Sequence, residues 1–175
     1  MNSSKKLLVG AALGIFGVAA LTACSPASGT AALVNGVAIP DSRVTSFSEG
    51  CSVALRDDPQ LALSPNELRP QLLVWAVLGE MSSQQAALMG AGAPSDSQIR
   101  DYMEQRGLSA LLTDDRCAEA AVGIVRSDLI ASSLGSQSDT YFDSYTVELN
   151  PRYGSWDQAK LSPTGSGSLS DLAKS

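Results

Sequence analysis

Few residues of this chain have the means to do chemistry: three cysteines, Cys24, Cys51 and Cys117, and two adjacent acid pairs, Asp57-Asp58 and Asp114-Asp115. There is no histidine, which removes the Ser-His and Cys-His nucleophile arrangements and every His-bearing zinc site. Three thiolates are too few for an all-cysteine zinc site, which needs four. Paired carboxylates remain a route to acid-base catalysis. Both pairs, however, stand at expected helix ends, where capping or solvation accounts for them, and neither has the alternating oxygen ligands of a calcium loop. Gly90 and Gly92 follow a helix instead of opening one after a strand, so they form no phosphate cradle. The expectation is a chain that is not an enzyme and holds no metal or other cofactor.

The fate of the first cysteine depends on what precedes it. Met1 to Lys6 is positively charged, Leu7 to Ala20 is uncharged, and small residues follow, the pattern of a secretory signal peptide. The run is shorter than the ~20 apolar residues that span a bilayer, which makes a permanent transmembrane helix the weaker reading. Leu21-Thr22-Ala23-Cys24 resembles the bacterial lipobox, in which a diacylglycerol is attached to the Cys thiol and the chain is cut just before it. The resemblance implies a lipidated Cys24 as the first residue of the mature protein, tethered at the extracytoplasmic face of a membrane. The alternative is an ordinary secreted protein cleaved after Ala23.

Removing residues 1–23 takes the chain from 175 residues to 152, one ordinary domain with tails, and takes the formal charge from −6 to −8 because Lys5 and Lys6 leave with the signal. An acidic exported domain is a poor partner for nucleic acid, whose binding rests on clustered Lys and Arg. Anionic lipid should repel it, leaving the acyl chains to hold it at the membrane. With 44% hydrophobic residues there is apolar material for a core.

The elements that must position these residues can be read in order. Residues 24–30 form a small, polar tether. Ala31 to Val34 and Val37 to Ile39 flank Asn35-Gly36, a hairpin signal because both turn positions accept positive φ; a strand and simple turn is the alternative. After Pro40, Asp41 is placed to N-cap a helix from Ser42 to about Arg56 that buries Val44, Phe47 and Cys51. Ser64-Pro65-Asn66-Glu67 is a capping box with Pro at N1, opening a helix to about Met89. Pro70 should kink its first turns or push the regular start downstream. Leu72 to Leu78 is apolar all round, which marks this helix as central. Ser95 to Gln98 is a second capping box, for a short helix ending at Gly107 and burying Ile99 and either Tyr102 or Met103. Thr113 or Asp114 caps a last helix to about Leu134, Ser136 to Asp139 is a loop, and Tyr145 to Asn150 is a strand. Residues 158–175 have little to bury and should be a disordered tail.

This order, carried by Leu33-Val34-Asn35-Gly36-Val37-Ala38-Ile39, by Leu72 to Leu88 and by Ala93 to Gly107, resembles the N-terminal domain of SurA-type periplasmic chaperones and related foldase lipoproteins. Small SurA-like lipoproteins of high-GC Gram-positive bacteria are the nearest type. The resemblance implies a mainly α fold over 31–157: a compact four-helix domain with a small β element made by the Val-Asn-Gly segment and a C-terminal strand. The larger family carries parvulin prolyl isomerase domains whose active sites use histidine. Here there is neither histidine nor, in the 41 residues after Leu134, room for such a domain. What remains is the chaperone-like module without the isomerase.

Lipidation of Cys24 would leave Cys51 and Cys117 as an even pair in an oxidising compartment, one on the inner face of the first helix and the other in the first turn of the last. A disulfide is expected, with two buried free thiols as the alternative. Two functions follow. One is a membrane-tethered, chaperone-like binder of unfolded or exported polypeptides, with Trp75, Met81, Leu88 and Met89 as groove residues or, alternatively, plain core. The other is a lipoprotein that docks one defined envelope protein through Arg152, Tyr153 and Trp156, whose alternative is packing of the C-terminal strand on the helices.

Overall fold

The computed structural model describes residues 26–58 and 62–165. Among the described residues, five strands and five α-helices follow one another as β1 (Thr30–Val34), β2 (Val37–Pro40), α1 (Asp41–Ala54), α2 (Pro65–Met89), α3 (Asp96–Gln105), α4 (Asp115–Leu134), α5 (Ser138–Asp143), β3 (Val147–Leu149), β4 (Ser155–Asp157) and β5 (Ser162–Thr164). The chain is mainly helical, with two small antiparallel sheets. Four helices are long and α5 has six residues. Among the described residues no helix is long and apolar enough to cross a membrane.

The helix starts follow local chemistry. Ser64 and Ser95 each accept from the backbone N–H three residues on, while Glu67 and Gln98 reach back to the backbone N–H of Ser64 and Ser95. Pro70 lies within an unbroken α2. Its missing N–H leaves only the carbonyl of Asn66 without a helical partner, and Asn66 is exposed to water. Gly107, at φ +74°, closes α3: Leu108 N–H reaches the Met103 carbonyl and Gly107 N–H the Glu104 carbonyl, the Schellman arrangement.

Helices α1, α2 and α4 form the centre, with α2 against both others. Small buried residues, Ala118, Ala120, Ala121 and Gly123, run along α4. A Cβ on Gly123 would stand 3.1 Å from the Gly79 Cα, so the two helix backbones nearly touch. Ser82 Oγ donates across this crossing to the Gly123 carbonyl at 3.1 Å. The larger core collects Val34, Ile39, Val44, Leu72, Leu73 and Met81, and α3 adds a smaller one around Ile99 and Met103.

Asn35 and Gly36 turn at φ +49° and +80°, and β1 pairs with β2 on one side and β3 on the other, both antiparallel. The Asn35 side chain accepts from Thr146 N–H at 2.9 Å and donates to Gln84 on α2 at 3.3 Å, which ties the hairpin turn to β3 and α2.

Four expectations need correction. The tether was expected to extend through Thr30, but β1 begins there and the Gly29 carbonyl accepts from Asp41 N–H. Asp41 is the first residue of α1 and not its cap; Pro40 holds the cap position without a side-chain bond. Residues 136–139, read as a loop, are a 3-10 turn leading into α5. Residues 158–165, assigned to a disordered tail, close the β4–β5 hairpin, with Trp156 and Leu161 packed against the larger core. Residues 1–23 and Cys24 lie outside the described residues.

Candidate functional site

All four long helices contribute to one cleft of about 270 Å³. Each presents residues at helical repeat spacing: Arg43 and Phe47 from α1, Trp75, Gly79 and Ser83 from α2, Asp96 and Arg100 from α3, and Glu119, Gly123 and Arg126 from α4. Gly79 meets Gly123 at the floor, with Phe47, Ala76 and Val122 buried beside them, so the open apolar surface is small and Trp75 is its partly exposed member. Trp75 is half-buried and packs against both cores, which fixes its ring as the wall between α1 and α3.

Three guanidinium groups stand around that floor. Arg43 lies 5.3 Å over the Phe47 ring and donates to Glu119 Oε1 through Nη2 at 2.8 Å and Nε at 3.1 Å. Arg126, only 14% exposed, donates to Asp96 Oδ1 at 2.5 Å and to Ser83 Oγ at 3.3 Å. The side chain of Arg100, on the next turn of α3 from Asp96, makes no hydrogen bond or ion pair among the described residues. A small apolar patch at Trp75 under a rim of three cations and two acids, net positive, can hold an amphiphilic anion. Among the described residues no three His, Cys, Asp or Glu side chains converge as metal ligands.

The expected groove residues do not share this surface. Trp75 lines the cleft. Met81 is wholly buried, because on an all-apolar helix it turns into the larger core, where its carbonyl accepts from the Tyr145 hydroxyl at 3.0 Å. Met89 packs half-buried on that core, and Leu88, 81% exposed, projects into solvent away from the cleft. Arg43, Arg100 and Arg126 were missed: each helix shows its own face in the sequence, but which faces meet is decided by packing.

The expected docking residues are used internally. Tyr153 is buried, and its hydroxyl donates to Asp41 Oδ1 and accepts from Arg69 Nε and Nη2 at 3.1 and 2.9 Å. Arg69 also reaches Asp41 Oδ2 at 2.7 Å and Thr45 Oγ1 at 2.5 Å, and Arg152 pairs with Asp41 Oδ1. Burial raises the Asp41 pKa, but the bonds from Tyr153 and Arg69 and the charges of Arg69 and Arg152 outweigh it and hold the carboxyl below its ordinary range. Trp156 is half-buried, its indole N–H donating to Gln158 at 3.0 Å. This knot joins α1, α2 and the C-terminal segment and leaves Tyr153 unavailable to a partner.

The cysteine pair stands as expected. Cys51 and Cys117 are buried with sulfurs 2.07 Å apart, the separation of a disulfide, joining α1 to the first turn of α4. Asp114 caps that turn, accepting from Arg116 N–H at 2.9 Å. Side-chain bonds from Arg116 hold its carboxyl down to about 2.

Comparison with family models, curated proteins and solved structures finds none that matches this chain.

Proposed function

We propose that this protein is a lipoprotein anchored through Cys24 at the extracytoplasmic face of the cell membrane, whose helical domain docks a polypeptide segment of a defined envelope partner in the α1–α4 cleft and has no prolyl isomerase activity. The observation that carries this is the distribution of apolar surface. Exposed large apolar side chains, Val37, Val53, Leu63, Leu88 and Leu108, are spread over β2, the ends of α1 and α2 and two loops. Trp75, by contrast, is partly exposed inside a cleft with room for one or two side chains, beside the buried Phe47. A holder of unfolded chains relies on a broad apolar patch or groove. A small cleft with one partly exposed aromatic and charged groups at its rim suits a selected segment. The SurA-like order of elements supports a polypeptide as the ligand in either case.

The test is photo-crosslinking on membranes from a benzophenone side chain placed at Ser83 on the cleft rim. One dominant adduct supports docking. A continuous ladder of adducts replaces docking with the chaperone-like reading, and no adduct removes both.

A further inference from the structure

The cleft has a charge pattern that narrows its ligand, given the polypeptide-docking reading on which this step rests. We propose that it binds the C-terminal residue of its partner, an apolar side chain seated on the Trp75 floor and the terminal carboxylate held by Arg100. Three of the ten Lys and Arg residues that follow Cys24 line this one cavity against two acids, Asp96 and Glu119, so its lining is net positive in a chain of net charge −6. Such local concentration of cations in an acidic protein favours an anionic ligand.

The three guanidiniums are not equally committed. Arg126 and Arg43 are engaged by Asp96 and Glu119, whose side chains are 70% and 57% exposed, so solvent can replace either acid at small cost. Arg100 has no such acid among the described residues, and its planar fork matches a carboxylate bidentately. The cation and the apolar floor belong to the same cavity of about 270 Å³. A single residue that carries both a carboxylate and an apolar side chain answers both features most compactly. In a polypeptide only the chain end does this. An internal Asp or Glu supplies the charge but leaves the floor uncovered, and an internal Leu or Phe covers the floor but leaves Arg100 unanswered.

The experiment titrates the full chain, in detergent, into fluorescent hexapeptides ending in Leu, read by anisotropy. One peptide has a free carboxylate, one the same sequence amidated, and a third carries an internal Asp with an amidated end. The free carboxylate should bind at least about tenfold more tightly than either amidated peptide, the scale of one charge-assisted contact. Arg100→Gln should abolish that difference while Arg100→Lys keeps part of it, with unchanged circular dichroism in both. Equal binding of the free and amidated peptides overturns the terminal-carboxylate proposal and leaves docking intact. So does an undiminished preference in Arg100→Gln. If no peptide binds and the Ser83 cross-linker captures nothing, the docking reading fails with it.

Discussion

At the seam between α1, α2 and the C-terminal segment, Arg69 and Arg152 converge on one carboxylate, Asp41, and Tyr153 completes its shell. In the cleft, Arg43 and Arg126 reach outward to Glu119 and Asp96 on the rim. The residue type is the same and the outcome is opposite. At the seam the acceptor is three-quarters buried, so water cannot take the place of any member without leaving a charge stranded. In the cleft the acceptors are already in water, so a ligand carboxylate can take their place. Arginine is therefore a tie in one region and a handle in the other, and what decides is the exposure of its partner.

The largest test of the closed region is reduction of Cys51–Cys117. Closing a loop with a sequence separation of 66 stabilises a domain by about 4 kcal/mol in the chain-entropy treatment, an upper figure. Reduction should lower the denaturation midpoint accordingly and add two hydrogens to the intact mass. Because α1 and α4 are two walls of the cleft, peptide binding should weaken as well. An unchanged mass would mean that the cysteines are free. Next in size is Arg69→Gln, which strips Asp41, Thr45 and Tyr153 of a shared donor and should cost about 2 kcal/mol in a denaturant titration. Arg100→Gln should cost less than about 0.5 kcal/mol. Similar losses at both sites would erase the distinction between tie and handle.

The sequence made the locally determined parts legible. Both capping boxes, the Asn35-Gly36 turn, the Gly107 stop and the all-apolar centre of α2 depend on residues within a turn of one another, and all stand as expected. Asp41 shows where locality ends. Its composition suits a cap, but partners 28 and 112 positions away claim its carboxylate. The β4–β5 hairpin was missed for a related reason: its strands have three residues each and are held by Trp156 and Leu161 packing on a distant core. The cleft was half legible. Trp75 stood out as an aromatic on the central helix, yet an all-apolar helix gives no sign of which side stays open, and so Met81 and Leu88 were grouped with it.

Acid should loosen the seam and the capped start of α4. Asp41 and Asp114 both have folded-state pKa values below the ordinary carboxylate range, Asp114 at about 2. Each therefore favours the fold fully above about pH 4, where the unfolded carboxyl is also ionised, and loses that contribution as the pH falls through its folded value. The denaturation midpoint should drop progressively from pH 4 toward pH 2. In Arg69→Gln the drop should be shallower, because Asp41 has lost a main cause of its shift. Parallel curves for the two proteins would show that Arg69 does not hold that carboxyl down.

The smallest expected effect on stability bears most directly on the handle. Glu119 and Arg43 have side chains 57% and 41% exposed, a setting in which an ion pair contributes little. Glu119→Gln should change stability by less than about 0.5 kcal/mol, with Arg43 still seated over Phe47 and 3.9 Å from Glu80. Removing a negative charge from the rim should nevertheless raise the affinity for a peptide with a free terminal carboxylate by about fivefold at low salt, since one charge a few ångströms away in water is worth on the order of 1 kcal/mol. The gain should fade as added salt screens the rim. A loss of stability above about 1 kcal/mol would place Glu119 among the ties, like Asp41. Unchanged binding with unchanged stability would show that the rim acids do not compete for the cations of the cleft.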